Sequence, residues 1–491
     1  MELTTWIVSV VVILAIYIWL QRPDPRLPPS PVRALPIVGH ILSMSRDTRS
    51  QLRAWRHCCG DIYSLYMGNT LVVVLNGYDL IKEALVTRAD IFSDRPSLFV
   101  DMASGLPKLG ILFSNGAVWK EQRSVSLSIL RSFGMGKNVL AEKIQEEIDC
   151  YMEVLADLKG ECTDIEVFTS ISISNIICSI LLGQRFDYED KTFQDLIHKS
   201  RDLVSEQEAV SLINFFPWLN FLPGDLFKAK KLRVSYVSLI NMFSDVLNEK
   251  KHFSDSNDVS NFIYAYINKR NQKIQSGIST SLDDQNLVKT MCDLFGAGTE
   301  TTSTTIYWCI LYILNHQKVQ DKVYDEIKNK VGTFRTPTIH DKSQLTYLNA
   351  VIMETQRLAS IAPVALPHQC SEEVTLKGFT IPKGTMILPN LDSVLHDKDT
   401  WGEDAMSFRP ERFIDNDGKL KNPEQFIQFG IGPRACLGES LAMMELFLFL
   451  SNMFQRFQFL PPNPCSIPPL AYKTGVVVSP LGYEVRVVKR I

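Results

Sequence analysis

Apolar residues recur at three- and four-residue spacing, with charges between them, over Leu140 to Leu158, Phe193 to Val204 and Val319 to Val331. That is the period of helices that bury one face. The stretch from Leu287 to Asn315 carries few charges on any side and predicts a long buried helix. Strand signals flank this helical middle. Tyr63 to Met67 and Leu71 to Leu75 are rich in Val, Leu and Tyr, and Gly68-Asn69 between them predicts a hairpin. A second small sheet is expected around Val374 to Leu388, where Lys377-Gly378 and Lys383-Gly384 supply turn residues. The pattern as a whole is mainly α with small β-sheets, an α+β architecture.

One apolar run has no polar partner face at all. Leu3 to Leu20 contains no charged residue, and as a helix it would rise about 27 Å, close to the thickness of a bilayer core. It lacks the basic n-region and small-residue cleavage site of a secretory signal. Arg22 and Arg26 follow it, which puts the C-terminal side in the cytosol. We therefore expect a retained single-pass membrane anchor over residues 1–20. Pro23 to Pro31 is proline-rich and predicts a stiff, extended hinge over residues 21–40. No low-complexity linker or internal repeat follows, so residues 41–491 are read as one catalytic unit.

Composition narrows the class. The chain is 45% hydrophobic and 21% charged, with a net charge of −3. That is globular, and it lacks the clustered basic footprint of a nucleic-acid binder. The 10 cysteines are scattered without a C-x-x-C pair, and no N-x-S/T sequon occurs. Reduced thiols in a cytosol-facing domain fit best.

Candidate chemistry centres on Phe429-Gly430-Ile431-Gly432-Pro433-Arg434-Ala435-Cys436-Leu437-Gly438. Glycines let the backbone approach a flat cofactor where a Cβ would clash. Amide N–H groups around Cys436, and the start of the helix beyond, favour the thiolate. Arg434 is placed to reach an anionic group on a cofactor rim. A buried structural cysteine in a tight turn is the other reading. The centre of the long helix reads Gly296-Ala297-Gly298-Thr299-Glu300-Thr301-Thr302, a poor mid-helix choice. The Thr301 hydroxyl can bond back to the Ala297 carbonyl and kink the helix, opening room for a small ligand. A close helix–helix contact would explain the glycines but not the acid. Glu354 and Arg357 share a helix face, as an ordinary surface pair also would. Trp119 and Arg123 lie one turn apart.

The decapeptide resembles the haem-binding signature of cytochromes P450, F-x-x-G-x-R-x-C-x-G, at every specified position. The other motifs follow that family's order. The resemblance implies the P450 fold behind an N-terminal transmembrane helix, with haem b as cofactor and Cys436 as the thiolate ligand of its iron. Phe429, Gly430 and Gly438 would shape the cofactor cradle. Thr301 would hold dioxygen and its waters, and Glu300 would relay protons. Trp119, Arg123, Arg434 and His368 would meet the haem propionates, although for His368 a plain loop histidine is an equal reading. Glu354, Arg357 and Arg412, the last in Phe408 to Phe413, resemble the structural lock of the family.

Local strings such as Gly183 to Tyr188 and Gly378 to Thr385 look most like the U subfamily of microsomal family two, with the R subfamily next. That likeness implies a monooxygenase that hydroxylates a long-chain fatty acid near its methyl end. It would draw electrons from NADPH through cytochrome P450 reductase, with cytochrome b5 as a further partner. A sterol, secosteroid or xenobiotic hydroxylase is the alternative. A haem-thiolate isomerase or a non-catalytic haem protein would not need the Glu300–Thr301 pair. The implied location is the endoplasmic reticulum membrane, with the catalytic domain facing the cytosol.

Phe295, Ala297, Val364 and Leu366 are expected to line the pocket, and residues 98–112 and 211–227 to select the substrate. The apolar cluster Phe215, Phe216, Trp218, Leu219, Phe221 and Leu222 is expected to dip into the membrane. Lys120, Arg131 and Lys137 are candidate reductase contacts.

Overall fold

A 32-residue helix, Asp284–Asn315, forms the axis of the molecule. The computed structural model describes residues 5–12, 24–134, 138–205, 210–252, 261–463 and 465–490. Asp283 caps the axial helix by accepting the Asn286 N–H at 2.7 Å. From Thr302 to Leu314 every side chain is buried, which is why this stretch carries no charged stripe. The helices Glu166–Leu182, Thr346–Ala359 and Glu439–Arg456 pack around it. The contact with the first is close: a Cβ on Gly298 would lie 2.7 Å from Ile177 Cδ1. A larger residue at Gly298 would have to displace the end of the Ile177 side chain. The amphipathic stretches form Asn138–Asp157, Lys191–Ser205 and Gln317–Lys330, close to the expected limits.

The hairpin forms as expected, with β1 (Ile62–Met67) antiparallel to β2 (Thr70–Leu75). Two short strands, β3 (Cys162–Thr163) and β4 (His368–Gln369), follow. The second expected sheet divides. Val374–Leu376 (β5) pairs with Phe379–Ile381 (β6), but Met386–Pro389 (β7) leaves them and runs parallel to β2, with Val72 opposite Met386. The first sheet thus has the order β1-β2-β7-β4. Near the C-terminus β11 (Val485–Lys489) pairs with β3 on one side and β8 (Phe457–Leu460) on the other, while β9 (Tyr472–Lys473) pairs with β10 (Ser479–Pro480).

The proline-rich segment does not stand clear as a spacer. Ser64 donates its N–H to the Pro29 carbonyl at 2.8 Å and its hydroxyl to the Pro28 carbonyl at 2.7 Å. His40 is fully buried and accepts the Tyr66 N–H at 2.9 Å. Residues 24–40 are therefore stitched to the β1 edge. Of the expected anchor, residues 5–12 are helical with exposed side chains, and the rest of 1–20 lies outside the described residues. Among the described residues no helix is long and apolar enough to cross a membrane.

Candidate active site

The loop from Phe429 to Gly438 is held by its own backbone. The Cys436 N–H donates to the Phe429 carbonyl at 2.9 Å, the Gly430 N–H to Ile427 at 2.8 Å and the Ala435 N–H to Gly432 at 3.0 Å. Gly432 has φ +81°, and a Cβ there would lie 2.0 Å from the Leu85 carbonyl oxygen, so only glycine fits. Gly438 is the N-cap of the Glu439–Arg456 helix, and a Cβ there would meet only Cys436 Sγ, at 4.0 Å. The Cys436 thiol is solvent-accessible although protein packs round it. Burial raises its pKa; the Gly438 N–H and the Arg123 charge push the other way.

Basic groups converge beside this loop. Arg434 stacks on Trp119, its guanidinium carbon 3.8 Å from the ring centroid. It donates to the carbonyls of Ser93 at 2.9 Å and Ser114 at 2.7 Å. Arg123 donates to the Ala435 carbonyl at 2.6 Å. Arg95 donates to the carbonyls of Leu366 at 2.6 Å and Pro367 at 2.9 Å, while its Nε is buried without a partner. Among the described residues no salt bridge joins any of these three guanidinium groups to a carboxylate.

Burial and then mutual repulsion hold Arg434 down to about 8 and Arg95 to about 9. His368, on β4, bonds through Nδ1 to the Phe92 carbonyl at 2.6 Å; burial, then the charge of Arg95, holds it down to about 3. Trp119 Nε1 is buried with no acceptor. Donors and cations this crowded are complementary to an anion with more than one charge.

The axial helix shows the expected back-bond. Thr301 Oγ1 donates to the Ala297 carbonyl at 2.8 Å, and the helix continues unbroken across the motif. Ala297 is exposed and Thr301 half-buried, in a helix otherwise buried from Thr302 onward. Burial raises the Glu300 pKa, opposed by Arg201 at 3.9 Å and supported by Glu166.

Residues 28–487 match the family model for cytochrome P450. The chain belongs to the cytochrome P450 family. It is similar to cytochrome P450 2U1 of Rattus norvegicus, 38% identical over 97% of this chain and 94% of that protein. The same protein of Homo sapiens is 40% identical over 88% of this chain and 79% of its own. Cytochrome P450 2J2 of Homo sapiens is 37% identical over 96% and 93%.

P450s are monooxygenases that use haem with a cysteine thiolate on the iron and NADPH-derived electrons delivered by a reductase. The residues of this P450 fit that cofactor. The thiol is accessible, the glycine loop leaves space beside it, and the uncompensated arginines suit two propionates.

The lock is fully formed. Glu354 accepts two bonds from Arg357, at 2.7 and 2.9 Å, one from Arg412 at 2.8 Å and the Arg409 N–H at 2.9 Å. Arg412 reaches three further carbonyls, those of Trp401, Asp404 and Ser407. Glu354 and Arg357 are entirely buried, so the surface-pair reading fails.

Of the expected pocket residues, Ala297, Val364 and Leu366 keep access, but Phe295 is fully buried in the core, edge-on to Phe243 at 5.7 Å. The helix turns Phe295 away from the face that carries Ala297 and Thr301. Arg95 is the site residue that sequence reasoning missed. It stands among Ser93, Asp94, Pro96 and Ser97, a polar stretch in which an arginine carries no mark of a site.

Proposed function

We propose that this P450 hydroxylates a long-chain fatty acid near its methyl end, taking its substrate from the membrane. The observation that carries the reading is the pairing of an accessible thiol in the glycine loop with an accessible Thr301 in a buried helix. The U-subfamily likeness adds the substrate class. Bound haem, with Cys436 as its thiolate ligand, supplies dioxygen binding and O–O cleavage. The protein's part is to hold and steer. Trp119, Arg123, Arg434 and His368 would bind the propionates, joined by Arg95. Phe429, Gly430 and Gly438 would keep the cradle open. Thr301 Oγ would orient water and dioxygen, and the Glu300 carboxyl, raised toward its neutral form, would pass protons inward. Ala297, Val364 and Leu366 would present an apolar wall to the chain. Glu354, Arg357 and Arg412 lock the scaffold without touching substrate.

A contiguous apolar face supports membrane delivery. Trp218 is 60% exposed and Phe221 83%, with Leu226, Ile37 and Leu42 also bare. The hairpin turn joins them: the Gly68 N–H donates to Val38, and the Phe216 ring lies against Gly68. With residues 1–20 as anchor and the proline-rich segment fastened to the catalytic unit, this face would rest on the endoplasmic reticulum membrane from the cytosolic side. Lys120 and Arg131 are exposed and would meet cytochrome P450 reductase or cytochrome b5; Lys137 lies outside the described residues.

The test is NADPH- and reductase-dependent turnover of palmitic acid under labelled dioxygen. Label in a product hydroxyl, lost in Cys436→Ala, supports the reading. Turnover of a sterol but not of the fatty acid moves the substrate to the alternative class. No labelled product from any lipid refutes it.

A further inference from the structure

Glu445 lies in the second turn of the helix that follows the cysteine loop, and it is 1% exposed. Its Oε2 accepts the Thr302 hydroxyl at 3.1 Å; its Oε1 is buried with no hydrogen-bond partner. Among the described residues no cation pairs with it. A carboxyl so placed keeps its proton, since ionising it would leave a bare charge in the core. Burial accordingly pushes it up to about 8.

The neighbouring hydroxyls behave differently. Thr301, Ser303 and Thr305 each donate back to a carbonyl of their own helix at 2.8 Å. Thr302 instead reaches across to another helix. Consecutive helical residues are about 100° apart, so pinning Thr302 on the buried side sets the angle at which Thr301 meets the accessible side.

We propose that Glu445 is a positioning residue for oxygen activation: its carboxyl grips Thr302 and fixes the rotation of the turn that presents Thr301. The proposal rests on the assignment of Thr301 made above. It ties the helix after the cysteine loop to the helix that carries Thr301, so the two move as one frame.

The experiment uses the haem-loaded full chain. Glu445→Leu removes the acceptor at similar volume, and Glu445→Gln keeps it. In Glu445→Leu, amide hydrogen exchange over residues 298–306 should rise about fivefold, the factor that one lost hydrogen bond carries. Exchange over residues 307–314 should stay unchanged. Peroxide released per NADPH oxidised, with reductase and palmitic acid present, should also rise. Glu445→Gln should match wild type in both. Wild-type exchange and peroxide yield in Glu445→Leu overturn the proposal, and so does failure of Gln to restore them. Thr301→Ala separates the two readings. If it leaves peroxide yield unchanged while Glu445→Leu raises exchange, the Thr301 assignment fails and the grip on Thr302 stands.

Discussion

Replacing Glu354 with Gln removes one charge from the lock while keeping its shape. Two guanidinium groups would then face each other without the carboxylate they share. Their burial leaves no water to compensate: the Arg357 side chain is 0% exposed and that of Arg412 4%. Breaking a single buried pair costs about 3–5 kcal/mol. Here one substitution breaks two pairs, although the amide oxygen can still accept some of the four bonds Glu354 now receives. The loss should therefore sit at the upper end, about 5 kcal/mol. That equals the whole net stability of many domains. The assay is urea unfolding of the haem-loaded chain by circular dichroism, with retained haem measured in parallel. Lys398→Gln, which breaks an exposed pair with Glu403, is the control and should not move the midpoint. If the two variants unfold at the same urea concentration, the buried charge is not what holds this region, and the argument fails.

Three further outcomes follow from the site. Arg95→Gln should speed haem loss to an apoprotein acceptor on the order of tenfold, because a charged hydrogen bond is removed; an unchanged rate would take Arg95 out of the cofactor site. Glu445 has a folded pKa raised from 4.5 to about 8, so its stabilising contribution is complete below the unfolded value and is lost as pH rises through the folded one. By about pH 7 the loss reaches about 3 kcal/mol, and Glu445→Gln should flatten the stability–pH curve in that window. Phe221→Asp should weaken binding to phosphatidylcholine vesicles by roughly 2 kcal/mol without changing the absorbance spectrum of the haem-loaded chain; equal binding would remove this face from the membrane.

The cysteine loop, the Thr301 segment and the Glu354–Arg357 pair were legible in the sequence because each is local: fixed spacings within one turn or helix specify them. The hairpin was legible for the same reason. What could not be read depends on distant chain. Met386–Pro389 carries a strand signal, but its parallel pairing with β2 rather than β5–β6 is decided by packing across the whole domain. Arg95 becomes a site residue only when Leu366 and Pro367 are brought to it. Phe295 was placed in the pocket because it neighbours the motif, whereas helix rotation sends it into the core. Gly298 lies against Ile177, a residue with no mark in the sequence.

The sheet β1-β2-β7-β4 carries a consequence for synthesis. Asn390 donates to Asn76 across 314 residues of chain, the buried Arg49–Asp392 pair spans a similar gap, and Gly432 seats against Leu85. On the ribosome β2 emerges with one edge bare, and its partner follows only after roughly 15–60 s of translation. An unpaired apolar edge is an aggregation template for that interval. The cysteine loop is made later still, so the cofactor can be captured only by a nearly finished chain. Premature termination anywhere before β7 would leave a product with an open sheet and no place for haem, a substrate for quality control rather than a partly active enzyme.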